Sequence, residues 1–183
     1  GEDVECSKDA AEIIKSRLLG QVFAVSGQIV DEEICSLEDV DRGAKVGLRW
    51  AKGPFELANR LGIGQAKEMA SKYCELAGFD LPNCWNRDDN FQFNYVDIAI
   101  NDSVATLTIN RPEAMNALNE TVVGQLSKVI DEVNANDSID TIVIDGAGKA
   151  FIAGADVKFF VDKIRADSFP EIYNFTADGH TVL

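Results

Sequence analysis

The sequence predicts an α + α/β chain: an all-helical domain over residues 1–79, a linker over 80–94, and an α/β segment built from ββα units over 95–183. Three observations predict it. Apolar residues recur at helical spacing up to Leu76 and then alternate from Val96 to Ile109, a change of period that separates a helical bundle from a sheet. Between these regions, residues 80–94 are polar and punctuated by Pro82, Asn83, Asn86, Asp88, Asp89 and Asn90, the composition of a connector. Last, the β-branched run Thr141-Ile142-Val143-Ile144 follows a helical pattern, which calls for a strand parallel to an earlier one, joined to it by a right-handed crossover.

In chain order, Ser7 is placed to cap a first helix running to about Val30. Ala11, Ile14, Leu18, Val22 and Val25 form its apolar face, widened by Ile13, Leu19 and Phe23, as for a helix central to a small bundle. Asp31-Glu32-Glu33 breaks the pattern, and Ser36 with Asp39 resembles a capping box for a second helix that Gly47 stops. Pro54 suits the first turn of a short third helix, Phe55 to Leu61, which Gly62 ends; a fourth carries Ala66, Met69, Tyr73 and Leu76 and closes at Gly78. Within the connector, Trp85 and Phe91 are expected to pin it to one domain.

Val96, Ile98 and Ile100 alternate with Asp97 and Ala99, Asn101-Asp102-Ser103 turns, and Ala105, Leu107 and Ile109 alternate with Thr106 and Thr108, which reads as a β-hairpin. A helix follows, expected to bury Val122, Leu126, Val129, Ile130 and Val133. The strand from Thr141 is a continuous apolar run, as expected of a strand buried on both faces. Gly146-Ala147-Gly148 turns the chain out of it, and Asp156 stands where an N-cap belongs, before Val157, Phe160, Val161 and Ile164 at helical spacing.

Composition bounds the function. A chain of 183 residues with 46% hydrophobic and 26% charged residues can bury one sizeable core or two small ones. A net charge of −14 opposes nucleic acid as a partner, since phosphate neutralisation needs a surplus of Lys and Arg. No apolar run reaches membrane-spanning length, so membrane insertion is not expected, and Gly1 to Glu5 lacks the basic start and apolar middle of a signal peptide. Cys6, Cys35, Cys74 and Cys84 have no metal-ligand spacing and read as reduced thiols of a cytoplasmic protein; with the lone His180 they offer neither a metal site nor a catalytic triad. Gly146-Ala147-Gly148-Lys149 resembles a phosphate-binding loop, but Val143 takes the place of its first Gly and Ala150 that of its Ser or Thr. Glu113, Glu120, Asp131 and Glu132 lie on a loop and a helix face where solvation accounts for them.

The stretch Lys149 to Lys158, K-A-F-I-A-G-A-D-V-K, brings a strand end, a loop of small residues and a capped helix start together, so that unpaired N–H groups and a positive dipole end converge on one place, which suits a developing oxyanion; close packing under a capped helix accounts for the same residues. With Asn110-Arg111-Pro112-Glu113-Ala114-Met115-Asn116-Ala117-Leu118, it resembles the two loops, N-R-P-x-x-x-N-A-L and A-F-x-A-G-A-D-[LIV]-K, that form the acyl-CoA site of the crotonase (enoyl-CoA hydratase/isomerase) superfamily. The resemblance covers about Tyr95 to Leu183 and implies the N-terminal part of that family's ββα spiral fold. It also implies that the Ala155 N–H is one of two oxyanion-hole donors, and that Glu113, Ala114, Met115, Ala153, Gly154, Asp156 and Lys158 line the site of a coenzyme A thioester. Lys149, Lys158, Lys163 and Arg165 either face the CoA phosphates or form a solvated helix surface.

The helical segment resembles the C-terminal domain of 3-hydroxyacyl-CoA dehydrogenases through Ser16-Arg17-Leu18-Leu19, Glu38-Asp39-Val40-Asp41-Arg42 and Gly53-Pro54-Phe55-Glu56-Leu57. Ser16 replaces the family's substrate-contacting Asn, which points to a degenerate copy used for packing. The chain contains no G-x-G-x-x-G, so NAD is expected only on a domain upstream of it. The chain opens on Gly1 rather than Met and reads as an internal piece of a dehydrogenase and hydratase fusion of β-oxidation or a related pathway, inactive by itself, with the second oxyanion donor and two hydratase glutamates beyond Leu183. An isomerase, decarboxylase or thioester hydrolase, or a non-catalytic packing module with a crotonase remnant, stays open on the same residues. Self-association, or association with the remainder of the parent chain, is expected.

Overall fold

The computed structural model describes residues 7–182. Cys6, the first five residues and Leu183 lie outside them. Two compact units divide the chain, Gly1–Phe93 and Asn94–Leu183.

The first unit is helical: α1 (Lys8–Asp31), α2 (Leu37–Gly47), α3 (Pro54–Leu61) and α4 (Ile63–Ala77). Ser7 and Ser36 cap α1 and α2, their Oγ atoms each accepting a backbone N–H at 3.2 Å, from Ala10 and Asp39. Pro54 opens α3, and Gly62 (φ 96°) and Gly78 (φ 78°) end α3 and α4 in backbone conformations that L side chains rarely adopt.

The expected buried face of α1 is corrected. Ile14 (53% exposed) and Leu18 (60%) face outward, while Gly20, Phe23, Ala24, Ser26 and Gly27 are buried. Small residues decide the face: a Cβ on Gly20 would lie 2.4 Å from the Met69 carbonyl oxygen of α4, and one on Gly27 2.4 Å from Nε1 of Trp85. The helix buries the stripe that lets another backbone and an indole approach it, and a hydrophobicity pattern gives small residues little weight.

Trp85 and Phe91, read within the linker, belong to this core. Trp85 is fully buried in the 3-10 turn Asn83–Trp85, against Phe23, Phe55 and Phe91 with ring centroids 5.5, 6.2 and 5.2 Å away. Its Nε1–H donates to the Phe23 carbonyl at 3.2 Å. Asn59 donates to the Phe91 carbonyl at 2.9 Å and accepts the Phe91 N–H at 2.8 Å, and Asp31 accepts the N–H groups of Asn83 and Cys84. Backbone donors satisfied by side chains from two helices hold a polar segment in place without secondary structure of its own. Burial, then the nearby Asp31 carboxylate, pushes the Cys84 thiol up to about 12, which leaves it unreactive at neutral pH.

In the second unit, β1 (Val96–Asn101), β2 (Val104–Ile109) and β3 (Thr141–Gly146) form a sheet in the order β1-β2-β3. β1 and β2 are antiparallel, turning at Asp102 (φ 52°) and Ser103; β2 and β3 are parallel, with α5 (Glu120–Asn134) between them in sequence. The register sets Ile98 opposite Leu107 and Leu107 opposite Ile144, so the apolar residues share one face. α5 covers the β2 part of that face with Val122, Val123, Leu126 and Val133, while Ile98 stays 46% exposed; Val129 and Ile130 are half-buried. β3 is exposed at Thr141, Val143 and Asp145, so the expectation of burial on both faces fails. It is an edge strand with one neighbour, and its outward face carries Val143 at 42% exposure. Beyond it, α6 (Val157–Arg165) packs through Phe159 and Phe160 on Phe175 of α7 (Phe169–Val182), with ring centroids 4.7 and 5.7 Å apart.

Candidate functional site

The two small-residue loops meet at the end of the sheet. After β2 the chain passes through the 3-10 turn Pro112–Ala114, then places Met115 (φ 52°) and Asn116 (φ 55°) in succession in the left-handed region. Asn tolerates that conformation; Met does not readily do so, and such strain persists only where the surroundings fix it. Here they do. Asn116 is fully buried, its Oδ1 accepts the Arg111 N–H at 2.8 Å, and its Nδ2 donates to the carbonyls of Ala147 and Ala150 at 2.9 and 2.8 Å. One amide thereby ties the loop after β2 to the loop after β3. Gly146 makes room for it, since a Cβ there would sit 2.8 Å from Nδ2 and 2.2 Å from the Phe151 carbonyl oxygen.

A short parallel bridge, Leu118 to Ala155, extends this contact. The Ala153 N–H donates to Met115 O at 3.1 Å, the Leu118 N–H to Gly154 O at 2.9 Å, and the Asp156 N–H to Leu118 O at 2.8 Å. In a parallel bridge one of the two facing residues bonds through its own N–H and C=O, here Leu118, while the other, here Ala155, lends those of its neighbours and turns its own away. The N–H of Ala155 therefore points out of the bridge and, among the described residues, meets no acceptor. Gly154 (φ 89°) gives the turn that presents it. Two residues on, α6 begins, its positive dipole end beside the same N–H.

An ion pair closes the arrangement. Arg111 Nη2 lies 2.8 Å from Asp156 Oδ2, with the two side chains 16% and 18% exposed. Arg111 Nη1 donates to the Ala117 carbonyl at 3.0 Å, and the guanidinium stands 5.8 Å from the Tyr95 ring centroid. The other Asp156 oxygen accepts the Lys158 N–H at 3.0 Å and caps α6.

The residues expected at the site are brought together, in different capacities. Ala114, Met115, Ala153, Gly154 and Ala155 form its backbone lining; Met115 is 62% exposed, and Ala153, Gly154 and Ala155 are exposed too. Glu113 is half-buried in the 3-10 turn, and Lys158 projects outward from the first turn of α6. Asp156 uses both carboxylate oxygens on the protein itself. Of the basic stretch, Lys163 is drawn to Glu171 and to Glu120 (3.4 Å), and the Glu171 hydrogen bond raises its pKa above the usual lysine value; Lys149, Lys158 and Arg165 are exposed. A groove of about 570 Å³ runs between α5 and α7, and its Glu120, Asp131, Glu171 and Asp178 form an acidic wall unsuited to a polyphosphate. Sequence reading missed Arg111 and Asn116 as the residues that fix the loops; a buried-type Asn two places after a Pro-initiated turn carries no local signal of its partners 31 and 34 residues away.

Residues 104–182 match the family model described as enoyl-CoA hydratase/isomerase, and residues 14–87 that of the C-terminal domain of 3-hydroxyacyl-CoA dehydrogenase. The chain thus carries one segment similar to each of these two families. The second segment is 42% identical over 66 residues to a Mycobacterium bovis protein named "Probable enoyl-CoA hydratase echA8", covering 36% of this chain and 26% of the relative. It is 39% identical over 67 residues to the short-chain-enoyl-CoA hydratase of Clostridium acetobutylicum, covering 36% and 26%. The chain thus spans about a quarter of the length of these relatives. Among solved structures, an enoyl-CoA hydratase from Mycobacterium tuberculosis H37Rv is 32% identical, with 37% of this chain and 31% of that one covered and a TM-score of 0.36. The crotonase-type loops are the two that meet at Ala155, and the dehydrogenase-type segment is the helical unit. In that unit the D-V-D and G-P-F-E-L motifs meet: Asp41 is buried and accepts the N–H groups of Phe55 and Glu56 at 2.8 and 2.9 Å, and Gly53 leaves room for its carboxylate. Among the described residues no three His, Cys, Asp or Glu side chains converge as a metal ion requires, and no helix is long and apolar enough to cross a membrane.

Proposed function

We propose that this chain is part of a bifunctional acyl-CoA enzyme, a 3-hydroxyacyl-CoA dehydrogenase combined with an enoyl-CoA hydratase, and that the Ala155 N–H donates to the thioester carbonyl oxygen of a 2-enoyl-CoA. The single observation that carries this reading is the outward, acceptor-free N–H of Ala155 beside the start of α6. Hydration adds the oxygen of water to the β-carbon and a proton to the α-carbon, and negative charge gathers on the thioester oxygen in between. A fixed N–H aimed at that oxygen stabilises the charge without reorganisation during the reaction. Exposed Ala153 and Gly154 offer the thioester a surface without bulky side chains, beside the half-buried Ala114 and the exposed Met115, and the exposed Lys158 suits contact with CoA phosphate. The second donor, the two glutamates that handle the water and its proton, and the NAD-binding domain belong to the rest of the parent polypeptide, so this chain alone does not turn over. Exposed Val157 (73%), Tyr173 (75%), Phe151 (55%) and Ile164 (54%) fit a segment that associates with that remainder or with another copy, in the cytoplasm.

The test is Ala155→Pro in the full-length parent enzyme. Loss of one oxyanion donor lowers hydratase turnover by on the order of 100- to 1000-fold. Ala155→Gly keeps the N–H and most of the activity. A folded Ala155→Pro enzyme with near-normal turnover overturns the assignment.

A further inference from the structure

We infer that Arg111, Asp156 and Asn116 are positioning residues: together they latch the loop after β2 to the loop after β3 and so fix the direction of the Ala155 N–H. The inference rests on the proposed role of that N–H, although the latch itself stands on geometry alone. The bridge between Leu118 and Ala155 consists of few hydrogen bonds at the rim of the unit, and such isolated bonds open locally at low cost. Two side-chain devices brace it from either side. On the inner side, Asn116 binds three backbone groups, one on its own loop and two on the facing loop. On the outer side, Arg111 grips Ala117 O and Asp156 Oδ2, residues that flank the two bridge positions, Leu118 and Ala155. Asp156 spends its second oxygen on the Lys158 N–H, so the same carboxylate fixes the bridge and the first turn of α6. The planar guanidinium suits this double grip, since it directs several donors in a fixed fork, which an ammonium does not.

The latch is tested on the 183-residue chain by amide hydrogen exchange and 15N relaxation, with Asp156→Asn and Arg111→Lys. In Asp156→Asn the amides of Ala153, Leu118 and residue 156 exchange at least about tenfold faster, while those of the β1–β2 ladder and of α1 to α4 keep their rates. The order parameter of the Ala155 N–H falls from about 0.85 to below about 0.6. Arg111→Lys keeps the charge, loses the fork and gives an intermediate effect. A purely structural role predicts uniform acceleration throughout the second unit with Ala155 no more mobile than its neighbours, and that result overturns the inference, as does unchanged exchange at the three bridge amides. Titration of the wild-type chain with crotonyl-CoA separates the two readings. No shift of the Ala155 amide resonance counts against the thioester role and leaves the latch measurement standing, whereas a shift that persists unaltered in Asp156→Asn overturns the positioning role.

Discussion

Replacing Asn116 by Ala should be the most damaging single change in the second unit that removes so few atoms. Three backbone groups lose their partner: the Arg111 N–H and the carbonyls of Ala147 and Ala150. The carbonyls are half-buried and regain water in part, so about 1 kcal/mol for each of the three groups is a reasonable loss. Ala must also hold φ near 55°, where an L residue other than Asn is disfavoured by roughly 1–2 kcal/mol. The expected destabilisation is on the order of 4 kcal/mol, a large share of the roughly 5–15 kcal/mol that holds a domain together. With a urea dependence of about 1–3 kcal/mol per molar, the midpoint should fall by about 2 M. Both tryptophans, Trp50 and Trp85, lie in the first unit, so fluorescence follows that unit, while circular dichroism follows both. In Asn116→Ala the dichroism transition should split, with an early component, and the fluorescence transition should stay in place. Asn116→Gly relieves the backbone part and should recover about 1–2 kcal/mol. A dichroism midpoint that moves by less than about 0.5 M, or a fluorescence transition that moves equally, would refute the reasoning.

Trp85→Ala should cost the first unit about 3–5 kcal/mol, read as an early thermal transition, and limited proteolysis should then cut residues 83–91, which the wild-type chain protects. Gly53→Ala should destabilise the same unit by about 1–3 kcal/mol or more despite its ordinary φ of −73°, because the added Cβ meets Asp41 Cα at 2.5 Å; a neutral result would mean α2 and α3 separate easily. Burial raises Asp41 from 3.8 to about 6, against the lowering effect of the Phe55 and Glu56 N–H bonds, with Glu56 raising it further and Lys45 lowering it. A carboxyl whose folded pKa lies above its unfolded one stabilises most below the unfolded value, so this contribution should be full below about pH 4 and lost as pH rises through about 6; urea midpoints across that range, with Asp41→Asn lacking the slope, check the sign.

How far these features were legible in the sequence depends on the range of the interactions behind them. Helix ends were legible because caps act over three or four residues: Ser7, Ser36, Pro54, Gly62 and Gly78 each mark a boundary where the structure has one. The hairpin and the parallel strand after α5 were legible from alternation and from the order of elements. The face of α1 was not, because its burial is set by how near α4 and Trp85 come at Gly20 and Gly27, a property of partners 49 and 58 residues away. β3 looked doubly buried because Val143 and Ile144 are equally apolar; only the number of neighbouring strands distinguishes an edge from a centre.

The same distinction of range bears on the loops at Ala155. Their small residues are visible to any reading of composition, yet small residues alone leave the direction of an N–H undetermined. Direction follows from the Leu118 bridge, which turns the N–H groups of Leu118 and Asp156 inward and so turns that of Ala155 outward. That bridge in turn depends on Arg111 and Asn116, polar residues whose partners lie 45 residues away at Asp156 and 31 and 34 away at Ala147 and Ala150. The residue proposed for chemistry contributes nothing but a backbone group, and the side chains that give this group its aim belong to a different loop. A substitution at Asp156 should therefore resemble an active-site lesion although both its oxygens are engaged within the protein. The order parameter of the Ala155 N–H separates an effect on aim from an effect on ligand contact, since only the former is present before any thioester is added.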